Sequence, residues 1–166
     1  MGALHEQAWP GLPAHDHDPA LLPLSMLLVD GGRVLAMLDI LSKEISHQGQ
    51  SYRASGLSTV VTDPANRRKG YGTQLVRAAR GWMQVGGGDL ALFTCDRPLQ
   101  AFYEHAGWSV LPGSVLIGGT REHPFPSDQL DKVVMAAFFS DRAKEHAPSF
   151  RQQRIELYPG EIDKLW

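Results

Sequence analysis

Cysteine is nearly absent. Cys95 stands alone among 166 residues, so no internal disulfide framework can form, and the chain fits a reducing cytoplasm. Long apolar runs are missing too. None approaches the ~20 residues of a bilayer-spanning helix, and the first residues lack the basic start and apolar core of a secretory signal. Neither sign of charge is in excess. A formal net charge of −2, 20% charged residues and a pI near 6.4 argue against a general nucleic-acid or membrane-surface binder. No internal repeat is visible. Two nucleotide-binding signatures are also lacking. There is no G-x-x-x-x-G-K-S/T loop, and no G-x-G-x-x-G, because Leu75 stands where its last glycine would fall. What the chain does have is a hydrophobic fraction of 43%, enough for one core, and a length expected of a single domain over 1–166.

The most informative stretch runs from Val60 to Thr73. The β-branched run Val60-Val61-Thr62 reads as the end of a strand, which Pro64 stops because it cannot donate to a ladder. After Gly72 the apolar residues Leu75, Val76, Ala79, Trp82 and Met83 recur at helical spacing, and Gly86-Gly87-Gly88 ends the helix. Between strand and helix lie Arg67, Arg68, Lys69, Gly70 and Gly72. A turn of this kind directs several N–H groups into one concavity, and the helix N-terminus adds unpaired donors and partial positive charge. The glycines permit close approach of backbone to ligand. Together with the three cations they form a site for a phosphate or diphosphate; a solvated basic turn is the alternative.

Elsewhere the organisation is that of a mixed α/β chain. Residues 1–24 are irregular, broken by Pro10, Pro13, Pro19 and Pro23. His15-Asp16-His17-Asp18 has metal-ligand chemistry, but no partner at matching spacing, and no metal is expected. Met26–Asp30 and Arg33–Ile40 read as a hairpin about Gly31-Gly32. A second turn falls at 47–50, followed by a strand from Tyr52 to Val61. Asp89–Cys95 is a continuous apolar run expected of a buried central strand, joined to the previous strand by a right-handed parallel crossover. Pro98 to Gly107 reads as a helix with Leu99, Phe102, Tyr103 and Ala106 on one face. Val133–Phe139 is a further core strand, and Arg154–Tyr158 a short one before a turn at Pro159-Gly160.

Two motifs in this order carry a resemblance. Arg67-x-x-Gly70-x-Gly72 matches R/Q-x-x-G-x-G/A, with a valine upstream. Phe102-Tyr103 followed by Gly107-Trp108 matches F-Y-x-x-x-G-F/W. Over residues 26–118 the chain resembles the GNAT superfamily of N-acetyltransferases. The fold so implied is α/β (α+β): a mixed central sheet splayed between two parallel central strands, with helices on both faces. Members usually begin with a strand and helix for which this chain has little room, so either the first edge strand is absent or the start is late. More loosely, residues 119–166 and their approach resemble the aminoglycoside 2′-N-acetyltransferases. Those share a Ser114-Val115-Leu116-like segment, an acid at Asp131 before a valine-rich strand, and a terminal Trp166.

The resemblance implies acetyl-CoA as cosubstrate. Its diphosphate would lie on Arg67, Arg68, Lys69, Gly70, Tyr71, Gly72 and Thr73, and its pantetheine arm on the backbone of Val60, Val61 and Thr62. A substrate amine attacks the thioester directly. Tyr103 is implied as the acid for the departing thiolate, a role a phenol with pKa near ~10 can fill for a thiol near ~8.5. Relatives carry a glutamate base where this chain has Ser58. Glu44, His47 or a water chain could replace it. Asp131, Asp163 and Trp166 are candidate contacts for a polycationic acceptor, although Trp166 could equally pack the terminus onto the core. His105 should be exposed, and Cys95 a small buried hydrophobe. The expected partner is a small-molecule amine, with no nucleic acid and no membrane; self-association would take the form of a homodimer, the commonest assembly. A protein or peptide N-acetyltransferase and a non-catalytic CoA-binding module are the competing readings.

Overall fold

The computed structural model describes residues 16–166. Most of the irregular stretch expected at 1–24, and His15 of the His-Asp cluster, lie outside the described residues. Three antiparallel strands come first: β1 (Leu24–Asp30), β2 (Arg33–His47) and β3 (Gln50–Thr62). The β1–β2 turn has Gly31 and Gly32 at φ 54° and 76°, the pair of positive values that lets a two-residue loop follow strand twist. Helix α1 (Tyr71–Val85) follows, then β4 (Leu90–Asp96), a 3₁₀ turn and α2 (Gln100–His105). The rest comprises β5 (Ser109–Val110), β6 (Val115–Gly119), β7 (Pro124–Pro126), β8 (Lys132–Phe138), α3 (Asp141–His146) and β9 (Arg154–Glu156).

The main sheet has the order β1-β2-β3-β4-β8-β5, and a second sheet the order β7-β6-β9. Among the described residues no strand pairs with the outer edge of β1, where the resembled fold usually has a further edge strand. On one face, α1 buries Leu75, Val76, Ala79 and Met83 against Ala36, Leu38, Ile40 and Leu57, while α2 adds Tyr103 and Ala106 beside Phe93. On the other face, Tyr52, Ala54, Leu92 and Val134 pack with Leu116 and Ile155 of the second sheet and with Ala143 and Phe150. Trp82 departs from the helical stripe read from the sequence. It is 48% exposed, because the buried stripe of α1 runs through Gly72, Leu75, Val76, Ala79 and Met83 and leaves position 82 on its flank. The last short strand also ends earlier than expected, at Glu156, where the N–H groups of Leu157 and Tyr158 both turn to Ile117 O.

The feature that positions the site is a fork. Strands β3 and β4 are parallel and pair only at Ala54–Leu90 and Ser55–Ala91. Beyond these, β3 stays with β2 as far as Thr62, and β4 stays with β8 as far as Asp96. A bulge helps to separate them. The β2–β3 register shifts between Met37 and Asp39, and Thr59, opposite this point, has φ 49°. Bulges of this kind bend and twist the strand that carries them.

The C-terminal segment returns across β6. Gly119 N–H donates to Lys164 O at 2.9 Å. The backbone crosses so closely that a Cβ on Gly118 would fall 1.6 Å from that oxygen.

Candidate active site

The turn between β3 and α1 is built from local hydrogen bonds. The Asp63 carboxylate accepts from Asn66 Nδ2 at 2.7 Å and Ala65 N–H at 3.1 Å. These bonds, the Asn66 one foremost, hold its carboxyl below the usual range. Arg68 and Gly70 follow in the left-handed region, at φ 64° and 83°, and Gly70 caps α1 with no side-chain bond to the helix. The first helical bond is Gln74 N–H to Gly70 O at 2.9 Å. The N–H groups of residues 68–73 therefore have no acceptor among the described residues. Donors left in this way at a helix start form an anion site.

These groups open into a cleft of about 600 Å³, lined by Val60, Val61, Thr62, Arg67, Arg68, Gly70, Tyr71, Gly72 and Thr73 on one side and by Leu99, Phe102 and Tyr103 on the other. The floor is tight: a Cβ on Gly72 would lie 2.8 Å from Thr62 Oγ1 and 3.4 Å from Phe102 Cζ. Lys69 stands apart from the lining, its Nζ bonded to Asn66 Oδ1 at 2.8 Å. Tyr103 borders the cleft from α2, 6% exposed, with Phe93 and Phe102 both 4.9 Å from its ring. Burial, reinforced by the neighbouring Cys95, pushes its phenol well above the ordinary value. Cys95 is buried among the same residues, its thiol pushed up to about 11 chiefly by burial. His105 is exposed, two positions along the helix.

Of the candidate acceptor residues, Ser58 and Trp166 lie along β3 just past its last pair with β4. Ser58 is half-buried, in register with Asp39 of β2. Trp166 covers Gly56. Asp163 is 3% exposed and committed to the protein, accepting from His17 Nδ1 at 2.6 Å and Asp18 N–H at 2.9 Å. Asp131 is on the surface, paired with Arg97 Nε at 2.9 Å. The structure therefore does not gather the two acids into one group. Glu44 and His47 lie towards the far end of the β2–β3 hairpin. Glu44 accepts from Ser51 Oγ at 2.5 Å, while His47 is buried, stacked on Phe150 at 4.0 Å and 2.8 Å from Ser149 O. His47 faces Gln50, ten positions along β3 from Val60, roughly 30 Å at the ~3.3 Å rise of a strand.

One functional group escaped the motif reading. Asp39, 7% exposed, accepts from Ser25 Oγ at 2.5 Å and from Thr59 Oγ1, and lies 3.2 Å from His17 Nε2. His17 thus bridges Asp39 and Asp163. Burial pulls its imidazole down, but the hydrogen bonds to the two carboxylates outweigh it and leave the pKa above 6.5. A signal existed in the sequence: Asp39 interrupts an apolar strand between Leu38 and Ile40, and an aspartate buried there must be partnered.

A fork between parallel strands, an unpaired helix start at its mouth and a buried tyrosine across it thus frame one cleft with an anion site at its end. The family model described as "Acetyltransferase (GNAT) domain" matches residues 8–111, more than half of the chain, and the chain belongs to that family. No curated protein sequence matches it. An acyl-CoA N-acyltransferase from Pseudomonas aeruginosa has a similar fold at 20% identity, with a TM-score of 0.53, 81% of this chain and 84% of that one being covered. Eis1 from Mycobacterium abscessus superposes with a TM-score of 0.52 at 17% identity, covering 64% of this chain and 27% of Eis1. A GCN5-related N-acetyltransferase from Kribbella flavida matches at 22% identity and a TM-score of 0.48 over 52% of this chain. The chain spans 22% of that protein's length.

Proposed function

We propose that this chain transfers an acetyl group from acetyl-CoA to a primary amine of a small molecule. The observation that carries this reading is the run of N–H groups at residues 68–73, without acceptors among the described residues, at the mouth of the fork. They suit a diphosphate, with Arg67 and Arg68 adding charge. The close floor at Gly72 admits backbone-level approach. Past the last β3–β4 pair, the β4-facing edge of Val60, Val61 and Thr62 is free to bond the amides of a pantetheine arm.

Acetyl-CoA supplies the thioester carbonyl; the chain's residues orient it and manage protons. As the amine nitrogen bonds to the carbonyl carbon, the carbon–sulfur bond breaks. The Tyr103 hydroxyl then gives its proton to the thiolate. A phenol held neutral by burial is always charged with that proton near neutral pH. Water in the fork beside Ser58 takes the amine's proton, with the Asp39 carboxylate opposite as the local negative charge. Ser58 is the acceptor contact in this reading, while Trp166 lies on Gly56 at the closed end of the fork. Asp163 acts through His17, and Asp131 remains a rim residue through Arg97. An aminoglycoside-like cation is the acceptor type that the looser resemblance favours.

The test is calorimetry with CoA, followed by thiol release from acetyl-CoA with a panel of polyamines, aminoglycosides and amino acids. Binding of CoA and amine-dependent release support the reading. Absence of heat at millimolar CoA overturns it, and binding without release under any amine reduces the protein to a CoA-binding module.

A further inference from the structure

We propose that the Trp166 indole is the wall that limits the length of the acyl group carried into the fork, making short-chain acyl-CoA the donor class. The proposal rests on reading the cleft as an acyl-CoA site.

The fork closes where β3 and β4 last pair, at Ser55 and Ala91. The next residue of β3 is Gly56, and the indole lies directly on it. A Cβ built there would fall 2.5 Å from Trp166 Nε1, 2.6 Å from Cδ1 and 2.7 Å from Cε2. Gly56 has no positive φ to explain it. Its lack of a side chain is a matter of space, and the space is filled by the indole. Trp166 also packs against both hydrophobic cores, which lie on opposite faces of the sheet. A side chain can reach both only where the sheet is open, so the ring is seated in the closed end of the fork. Its Nε1 is buried and without a hydrogen-bond partner among the described residues, so none of these fixes the ring by such a bond.

The wall is instead held through its backbone. Gly119 N–H ties Lys164 O to β6, Trp166 N–H donates to Asp163 O at 3.0 Å, and Asp163 is clasped by His17. A donor anchored at residues 68–73 runs along Thr62 towards Val60, so its acyl end points up β3 towards Gly56. An acetyl group stops short of the indole; each further methylene is driven into it. One methylene more or less in an apolar pocket changes discrimination by roughly 10–200-fold.

The test compares binding of CoA, acetyl-CoA, butyryl-CoA and hexanoyl-CoA by calorimetry in the wild type, Trp166→Phe, Trp166→Leu and Trp166→Ala. This readout needs no acceptor. The expected result is an acetyl preference of at least ~10-fold over butyryl in the wild type. That preference persists in Trp166→Phe, shrinks in Trp166→Leu and is lost or reversed in Trp166→Ala, while plain CoA binds all four alike. If Trp166→Ala does not fold, the Trp166→Leu ratio decides. A butyryl-to-acetyl ratio unchanged in a Trp166→Leu or Trp166→Ala variant that binds CoA normally overturns the wall. Failure of the wild type to bind CoA at all instead overturns the reading of the cleft, and the wall with it.

Discussion

Replacing Tyr103 by Phe removes one oxygen from a side chain that is otherwise held by packing. The ring keeps its edge contacts to Phe93 and Phe102, each at 4.9 Å, so the fold and the cleft should survive. What is lost is the proton donor. Burial raises the phenol far enough that it stays neutral throughout the working range, which makes the wild-type donor fully loaded at any pH where the acceptor amine is free. A positioned acid contributes ~10²–10⁴ in rate, equivalent to about 2.7–5.4 kcal/mol of barrier at ~1.36 kcal/mol per tenfold. The assay is thiol release from acetyl-CoA with the best amine of the panel, run beside calorimetric CoA binding. We expect kcat to fall by ~10²–10⁴ with CoA affinity within about twofold of wild type. The wild-type rate should also show no decline attributable to the phenol below about pH 10. A kcat within about threefold of wild type, with CoA binding intact, would refute the assignment of Tyr103 as acid.

Other outcomes test the surrounding structure. Gly72→Val places a branched side chain 2.8 Å from Thr62 Oγ1 and 3.4 Å from Phe102 at the first atom alone; CoA affinity by calorimetry should drop at least ~tenfold, about 1.4 kcal/mol. Gly118→Ala drives a methyl to 1.6 Å from Lys164 O, so the C-terminal segment must lift. Scanning calorimetry should show about 1–3 kcal/mol lost, and the acyl preference set by Trp166 should weaken in parallel. His17 has a folded pKa above 6.5, so its stabilising contribution is whole below about pH 6.5 and fades as pH rises through the folded value. The Tm difference between wild type and His17→Gln should therefore be larger near pH 6 than near pH 9. An equal difference at both would show that the imidazolium form carries no special weight.

Legibility from the sequence followed the range of the interactions. The strand–turn–helix at 60–73 is local: β-branched residues, a proline stop, two glycines and an amphipathic helix are all written within twenty-odd positions, and the hairpin at Gly31-Gly32 likewise. The second sheet was hard to foresee because β6 is short, contains Gly118 and Gly119, and pairs with Pro124–Pro126 and Arg154–Glu156, stretches with weak strand propensity of their own. The His17 bridge joins residues 146 positions apart, and no spacing rule reaches that far. Trp82 misled because helical periodicity gives a stripe, not its width. Seating Trp166 on Gly56 required knowing where β3 and β4 part, a property of tertiary geometry alone.

That parting has a consequence for how the molecule behaves as a whole. Two rungs of backbone pairing join a three-stranded amino-terminal meander to the remainder of the main sheet, with side-chain packing supplying the rest. Such a seam favours sub-global opening, in which each half retains its own antiparallel ladder while the interface exchanges amide protons quickly. A ligand lodged in the gap acts as a surrogate strand, and at a hundredfold excess over its Kd adds about 2.7 kcal/mol to the closed form. Deuterium uptake along residues 57–62 should then slow on adding coenzyme, while the outer strands β1 and β5 scarcely change.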